Sequence, residues 1–214
     1  MNSDPRLKIW ESLFLRAMRV LDAAIKSGVP DDDWSFGGGT VLMLKHQHRF
    51  SKDIDIFVSD PQYVTSFSPR VNDCAEDDSR GYDEQSQYVK LYYPEGEVDF
   101  VASPVISSNP FSVEPILGRE VRVETPLEII AKKIRYRADS FQARDIYDLA
   151  LVLERHPECA PELDGFLAEQ RDPLLERLEK YNDALREDFA EIDTIAFTPT
   201  YDHCLGLLLR HLAS

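Results

Sequence analysis

The chain has 214 residues, 43% of them hydrophobic and 29% charged, which suits one globular domain or a tightly joined pair and excludes a disordered chain. Its formal net charge of −15 works against attraction to phosphate backbones and excludes a general nucleic-acid coat, so a polyanion would have to bind through a local basic patch or through metal ions. Three scattered cysteines, Cys74, Cys159 and Cys204, include no CxxC pair, which excludes a disulfide framework and a cysteine zinc site and fits a reducing cytoplasm. Apolar runs such as Leu205–Leu209 fall far short of the ~20 residues of a membrane span, and the N-terminus lacks the basic head and apolar run of a signal peptide.

Taken in chain order, Arg6 to Lys26 has Leu7, Trp10, Phe14, Met18, Leu21 and Ile25 at steps of three and four, which predicts an amphipathic helix ended by Gly28 and Pro30. A short strand, Trp34 to Phe36, leads into Gly37-Gly38-Gly39, and Thr40 to His48 reads as helix. Asp53 to Val58 alternates at its start and is rich in β-branched residues, which predicts a strand. The acidic stretch Asn72 to Glu84 reads as a loop or a short exposed helix. Gln87 to Tyr93 and Glu97 to Ala102 read as strands joined at Pro94-Glu95-Gly96, and Val113 to Val123 as a hairpin around Gly118.

Beyond this point the hydrophobic period changes. Thr125-Pro126-Leu127-Glu128 has the form of a capping box with proline at the first helical position. It predicts a helix to about Arg137, then another over about Ala143 to Arg155, and two or three more from Pro161 to Ala213. Helix, mixed sheet, then helices amount to an α+β fold, with a sheet-bearing part over 1–124 and a helical part over 125–214.

Chemistry concentrates where glycines meet carboxylates. Glycines between a strand and a helix let backbone N–H groups approach a phosphate, the helix N-terminus adds partial positive charge, and Thr40 offers a hydroxyl. The same glycines also read as a plain strand-to-helix turn. Asp53 and Asp55 are two apart in a predicted strand, so they share one face while Ile54, Ile56 and Val58 share the other. Two adjacent carboxylates repel and favour a shared cation, and oxygen ligands suit Mg²⁺; an acidic strand face is the bland alternative. Glu97 and Asp99 form a second such pair, from which Asp99 could complete a metal set or accept a hydroxyl proton, with Glu97 the competing candidate.

Lys132, Lys133, Arg135, Arg137 and Arg144 make the densest basic stretch, fit either for a triphosphate or RNA backbone or for a solvated helix face. Arg144 and Asp148 are spaced to pair along one helix. Asp145 falls beside the apolar stripe, where an acid needs a partner, and Lys133 is the expected one. The five histidines show no ligand spacing and read as structural or exposed.

These residues together resemble the DNA polymerase β-like nucleotidyltransferases, whose signature is a Gly-Gly or Gly-Ser followed, after a short gap, by an acid-hydrophobic-acid strand. More narrowly, the chain is similar to the AbiEii/AbiGii toxin family of abortive-infection nucleotidyltransferases. The resemblance rests on Gly38-Gly39-Thr40-Val41-Leu42, Arg49-Phe50-Ser51-Lys52-Asp53-Ile54-Asp55, Glu128 to Lys133, and Arg144 to Leu149. Beyond Leu149 the likeness is only in being helical. The resemblance implies an Mg²⁺-dependent enzyme with an NTP as substrate. It implies Asp53 and Asp55 as metal ligands and, more loosely, Asp99 as a third. Gly38, Gly39, Thr40, Arg49 and Ser51 would form the nucleotide-binding turn, Lys133 would contact nucleotide phosphates, and Asp145 would belong to the active site. It further implies a tRNA 3′ end as acceptor and a cognate antitoxin. A small-molecule or protein acceptor, and a catalytically silent nucleotide-binding module, are the competing expectations.

Overall fold

A computed structural model describes residues 4–213. Contacts divide the chain into two compact units. One takes in the chain up to Val41, Ser51–Val105 and Phe111–Glu124; the other takes in Leu42–Phe50, Ile106–Pro110 and the chain from Thr125 onward.

The first unit is built on a mixed sheet. Helix α1 (Ile9–Lys26) precedes β1 (Trp34–Gly37), and helix α2 begins at Gly38 and ends at His46. Then come β2 (Ile54–Val58), α3 (Asp73–Asp78), β3 (Gly81–Gln85), β4 (Tyr88–Tyr92), β5 (Glu97–Ala102), β6 (Phe111–Ile116) and β7 (Arg119–Glu124). The strand order is β3-β4-β5-β2-β1-β7-β6, with β2 parallel to β5, β1 parallel to β7, and the other pairs antiparallel. Helix α1 packs on β2 and β5 through the buried face that its periodicity predicts, including Leu13, Phe14, Ala17 and Leu21. Ile54, Ile56 and Val58 of β2 and Val98 and Phe100 of β5 are buried, and Phe67 stacks on Phe100 at 4.3 Å. Period-two alternation therefore leaves Asp55 and Asp99 on the opposite, half-buried face.

The acidic segment from Asn72 differs from expectation. It contains α3 and then an edge strand, β3, whose Gly-Tyr-Asp-Glu-Gln sequence carries few strand formers. Pairing along its whole length with β4 overrides that local preference.

The second unit is helical: α4 (Pro126–Arg137), α5 (Ala143–Arg155), α6 (Ala160–Glu169), α7 (Arg171–Lys180), α8 (Asn182–Ala190) and α9 (Tyr201–Leu212). Its core helix is α5, packed by α4, α8 and α9. The segment 47–50 is bound into this unit by backbone bonds, Phe50 N–H to the Asp193 carbonyl at 2.8 Å and Ile195 N–H to the His48 carbonyl at 2.8 Å. Only half of the expected capping box forms. The Thr125 hydroxyl accepts the Glu128 N–H at 3.2 Å, but the Glu128 carboxylate turns away to accept the N–H groups of Ile106 (3.1 Å) and Ser107 (2.9 Å). No helix among the described residues is long and apolar enough to cross a membrane.

Candidate active site

The sheet unit brings its glycines and acids together by register. Gly37 stands opposite Asp55 across β1 and β2, Asp55 stands beside Asp99 across β2 and β5, and Asp99 stands opposite Lys90 across β5 and β4. At Gly38 the backbone has φ +74°, a left-handed conformation that glycine adopts without strain. A Cβ there would also overlap the Asp55 carboxylate, and one on Gly37 would overlap the carboxylate of Glu124. Close approach thus constrains both positions, and the positive φ constrains Gly38 as well. The carboxylate of Asp55 consequently lies against the first turn of α2, where the helix carries partial positive charge.

The remaining predicted residues hold this turn in different ways. Gly39 is the second residue of α2. Thr40 is fully buried; its hydroxyl donates to the Asp53 carbonyl at 2.6 Å and stands 3.0 Å from Ser51 Oγ. The hydroxyl offered to a phosphate in the sequence reading is therefore engaged in tying α2 to the chain entering β2. Asp53 lies one residue before β2, and its Oδ1 accepts the Glu97 N–H at 2.9 Å.

The acids carry the electrostatic signature of the site. Burial, followed by the neighbouring Asp55 charge, pushes the Asp99 carboxyl up to about 7. Asp99 Oδ1 is buried without a hydrogen-bond partner. Its other oxygen lies 3.2 Å from Lys90 Nζ, which is 2.5 Å from the Glu97 carboxylate. Burial works against the Lys90 charge, but the Glu97 hydrogen bond and the Asp99 charge outweigh it and raise the amine above its ordinary value. Among the described residues no three or more histidine, cysteine, aspartate or glutamate side chains form a ready-made metal cage. The donor chemistry nevertheless fits a hard divalent ion: two adjacent carboxylates, one with an unengaged buried oxygen, and room in the coordination shell for phosphate and water, as Mg²⁺ requires.

The helical unit gathers the other predicted residues into a buried ionic cluster. Arg49 binds Asp148 bidentately, at 2.8 and 2.7 Å. Lys133 Nζ donates to Asp145 at 2.6 Å and to Asp148 at 2.7 Å, and Arg137 lies 3.7 Å from Asp145. The expected pairing of Asp145 with Lys133 is present. The expected Arg144–Asp148 pair is not: Asp148 is fully buried and satisfied by Arg49, Lys133 and His48, while Arg144 is exposed. Burial by itself would raise both aspartates, but for Asp148 the Arg49 and Lys133 charges, and for Asp145 the Lys133 and Arg137 charges, hold the carboxyls below the usual range. Burial also pushes the His48 imidazole down, and its Nε2 is hydrogen-bonded to Asp148 Oδ1 at 2.9 Å. Asp145 completes a capping box at the start of α5 with Gln142.

Sequence reasoning missed Lys90, Glu124, His48 and the place of Asp148. A lysine between the strand formers Val89 and Leu91 was the one local signal for Lys90. Glu124 ends β7 and, fully buried, accepts the Ser35 hydroxyl at 2.9 Å; nothing in its flanking sequence marks it.

Comparisons with known proteins follow the same lines. Residues 19–209 match the family described as nucleotidyl transferase AbiEii toxin, type IV toxin–antitoxin system. No curated protein matches the sequence. Among solved structures, the chain is similar to MenT4, a nucleotidyltransferase toxin from Mycobacterium tuberculosis H37Rv, with 18% identity, a TM-score of 0.55, and coverage of 99% of this chain and 86% of that one. It is also similar to JHP933 from Helicobacter pylori, with 18% identity, a TM-score of 0.42 and coverage of 93% of each chain. A third similar structure is ANT(2″)-Ia in complex with adenylyl-2″-tobramycin, with 17% identity, a TM-score of 0.49, and coverage of 72% of this chain and 94% of that one.

Proposed function

This chain belongs to the nucleotidyl transferase AbiEii toxin family of type IV toxin–antitoxin systems, and from that premise we propose that it moves a nucleotide from an NTP to a tRNA 3′ end in an Mg²⁺-dependent reaction, in the cytoplasm and opposed by a cognate antitoxin. The observation that carries this reading is the seat of Asp55 and Asp99, adjacent in register, with Asp55 pressed against the Gly38 turn at the start of α2.

Asp53, Asp55 and Asp99 are the residues that would hold the metal, which supplies charge neutralisation at the transferring phosphoryl group. The side-chain-free backbone at Gly37 and Gly38, with Gly39 and the leading N–H groups of α2, would donate hydrogen bonds to triphosphate oxygens. Thr40 ties that turn to the chain entering β2 through its bond to the Asp53 carbonyl, with Ser51 Oγ 3.0 Å from the same hydroxyl. Should Asp99 not ligate the metal, its Oδ1, buried without a hydrogen-bond partner, would instead take the proton of the attacking hydroxyl. Lys133 donates to Asp145 and Asp148; its role as a contact to nucleotide phosphates rests on the family resemblance. Arg49 holds Asp148, and Asp148 with Asp145 holds the Lys133 amine.

The test is induced bacterial expression of wild type and Asp55→Ala, followed by sequencing of RNA 3′ ends. Nucleotides added to tRNA 3′ ends by wild type alone are expected; equal extension by the variant would overturn the assignment. One observation favours a different acceptor: the net charge of −15 attracts a cation, such as an aminoglycoside or a basic protein side chain, better than it attracts RNA. Labelled NTPs offered with tRNA, aminoglycoside and protein acceptors in parallel separate these. NTP binding without pyrophosphate release on any acceptor would mark the chain as a silent nucleotide-binding module.

A further inference from the structure

Strand β5, next to β2, and strand β4 beyond it present three charged side chains within one patch: Glu97 and Asp99, two apart on β5, and Lys90, paired with Asp99 on β4. Either acid could serve as a third metal ligand by its position, since both lie on the face that carries Asp55. Their surroundings differ. Glu97 Oε2 is hydrogen-bonded to Lys90 Nζ at 2.5 Å, whereas Asp99 meets the same amine through Oδ2 at a looser 3.2 Å. Asp99 Oδ1 is left buried and unbonded, on a side chain whose neighbour across β2 is Asp55. The Glu97 backbone is anchored as well, because its N–H donates to Asp53 Oδ1.

We infer that Lys90 is a positioning residue that decides which carboxylate completes the metal set: it withholds Glu97 and orients Asp99 so that Oδ1 is offered beside Asp55. This rests on the metal-dependent reading above and extends it to a residue outside the motifs. A lysine suits the task because a compact ammonium satisfies two carboxylates at once without chelating either in a fork. With Lys90 removed, the Glu97 carboxylate loses its hydrogen bond and becomes a competing ligand two residues from Asp99.

The experiment measures Mn²⁺ affinity of the intact protein by titration calorimetry, without nucleotide, so the readout is binding and not turnover. In the wild-type background, Asp99→Asn is expected to weaken Mn²⁺ binding at least about tenfold and Glu97→Gln to change it less than about twofold. In a Lys90→Met background, Glu97→Gln is expected to weaken binding several-fold, so that the effect of position 97 appears only when position 90 is apolar. Lys90→Arg, which keeps the charge, is expected to retain the wild-type pattern. Far-UV circular dichroism and thermal melting establish that each variant is folded. Equal losses from Glu97→Gln and Asp99→Asn in the wild-type background, or a Glu97→Gln effect independent of residue 90, would overturn the inference. Asp55→Asn is the control for the underlying reading: if it leaves Mn²⁺ affinity unchanged, the metal site itself is wrong, whereas loss with Asp55→Asn alongside a silent Lys90 refutes only the role given to Lys90.

Discussion

Two groups of acids in this molecule show opposite electrostatics. In the helical unit, Asp145 and Asp148 are fully buried, yet Arg49, Lys133 and Arg137 surround them and their carboxyls are held below the ordinary range. In the sheet unit, burial first and the neighbouring Asp55 charge second push Asp99 up to about 7, and Lys90, the cation beside it, is shared with Glu97. Burial raises the carboxyls in both groups; the charges around each decide whether that rise survives. Asp145 and Asp148 are matched by cations, whereas Asp99 stands beside a second acid and shares its lysine with Glu97.

Substitutions can break this contrast at either end. Asp148→Ala should be the most damaging to stability, by about 3–5 kcal/mol, since it strands Arg49 and Lys133 in a buried place; urea unfolding checks it. Asp55→Ala should reduce nucleotide transfer by at least about 10³-fold while the melting temperature stays near wild type. A melting temperature lowered as far as that of Asp148→Ala would erase the distinction between the two regions. Gly38→Ala should cost more than Gly118→Ala. Both positions have positive φ, at about 1 kcal/mol each for an alanine, but only at Gly38 would the new methyl meet Asp55, with open space around Gly118. Transfer activity should fall with the first substitution and not with the second.

The two regions should also answer pH in opposite senses. Asp145 and Asp148 have folded pKa values below the unfolded value of about 3.9, so their contribution is present above that pH and is lost as the solution becomes more acidic. Asp99 has a raised folded pKa of about 7. Between about pH 4 and 7 its folded form keeps a proton the unfolded chain has released, so stability falls as pH rises through that window, by at most about 1.4 kcal/mol per pH unit. Unfolding midpoints measured across pH in metal-free buffer should show a shallower acid-side slope in Asp148→Asn and a shallower neutral-side slope in Asp99→Asn. The smallest effect expected is that of Arg144→Ala. It should stay within about 0.5 kcal/mol of wild type, because the exposed Arg144 is not the partner of Asp148.

Much of the fold was legible because its signals are local. The period of α1, the proline and threonine opening α4, and the alternation of Ile54 with Asp55 and Ile56 each depend on a few neighbouring residues. The edge strand β3 escaped notice because its polar residues are held in place by β4 and not by their own preference. The Arg144–Asp148 pairing failed for a related reason: a spacing of four shows that two side chains share a helix face, but not whether a stronger partner arrives from elsewhere. Arg49 does arrive, ninety-nine positions away in the chain.

From its residues alone, this chain determines a glycine-rich strand-to-helix turn, an acid-hydrophobic-acid strand after it, and the family to which that pattern belongs, because turn-forming residues and strand alternation are short-range properties. Tertiary structure decided the partners. Register across β1, β2, β5 and β4 set Asp55 between Gly37 and Asp99 and brought Lys90 to the second acid, and helix packing closed Arg49, His48 and Lys133 around Asp148. Sequence spacing says which way a side chain points, whereas the charge it meets there is contributed by segments far away along the chain.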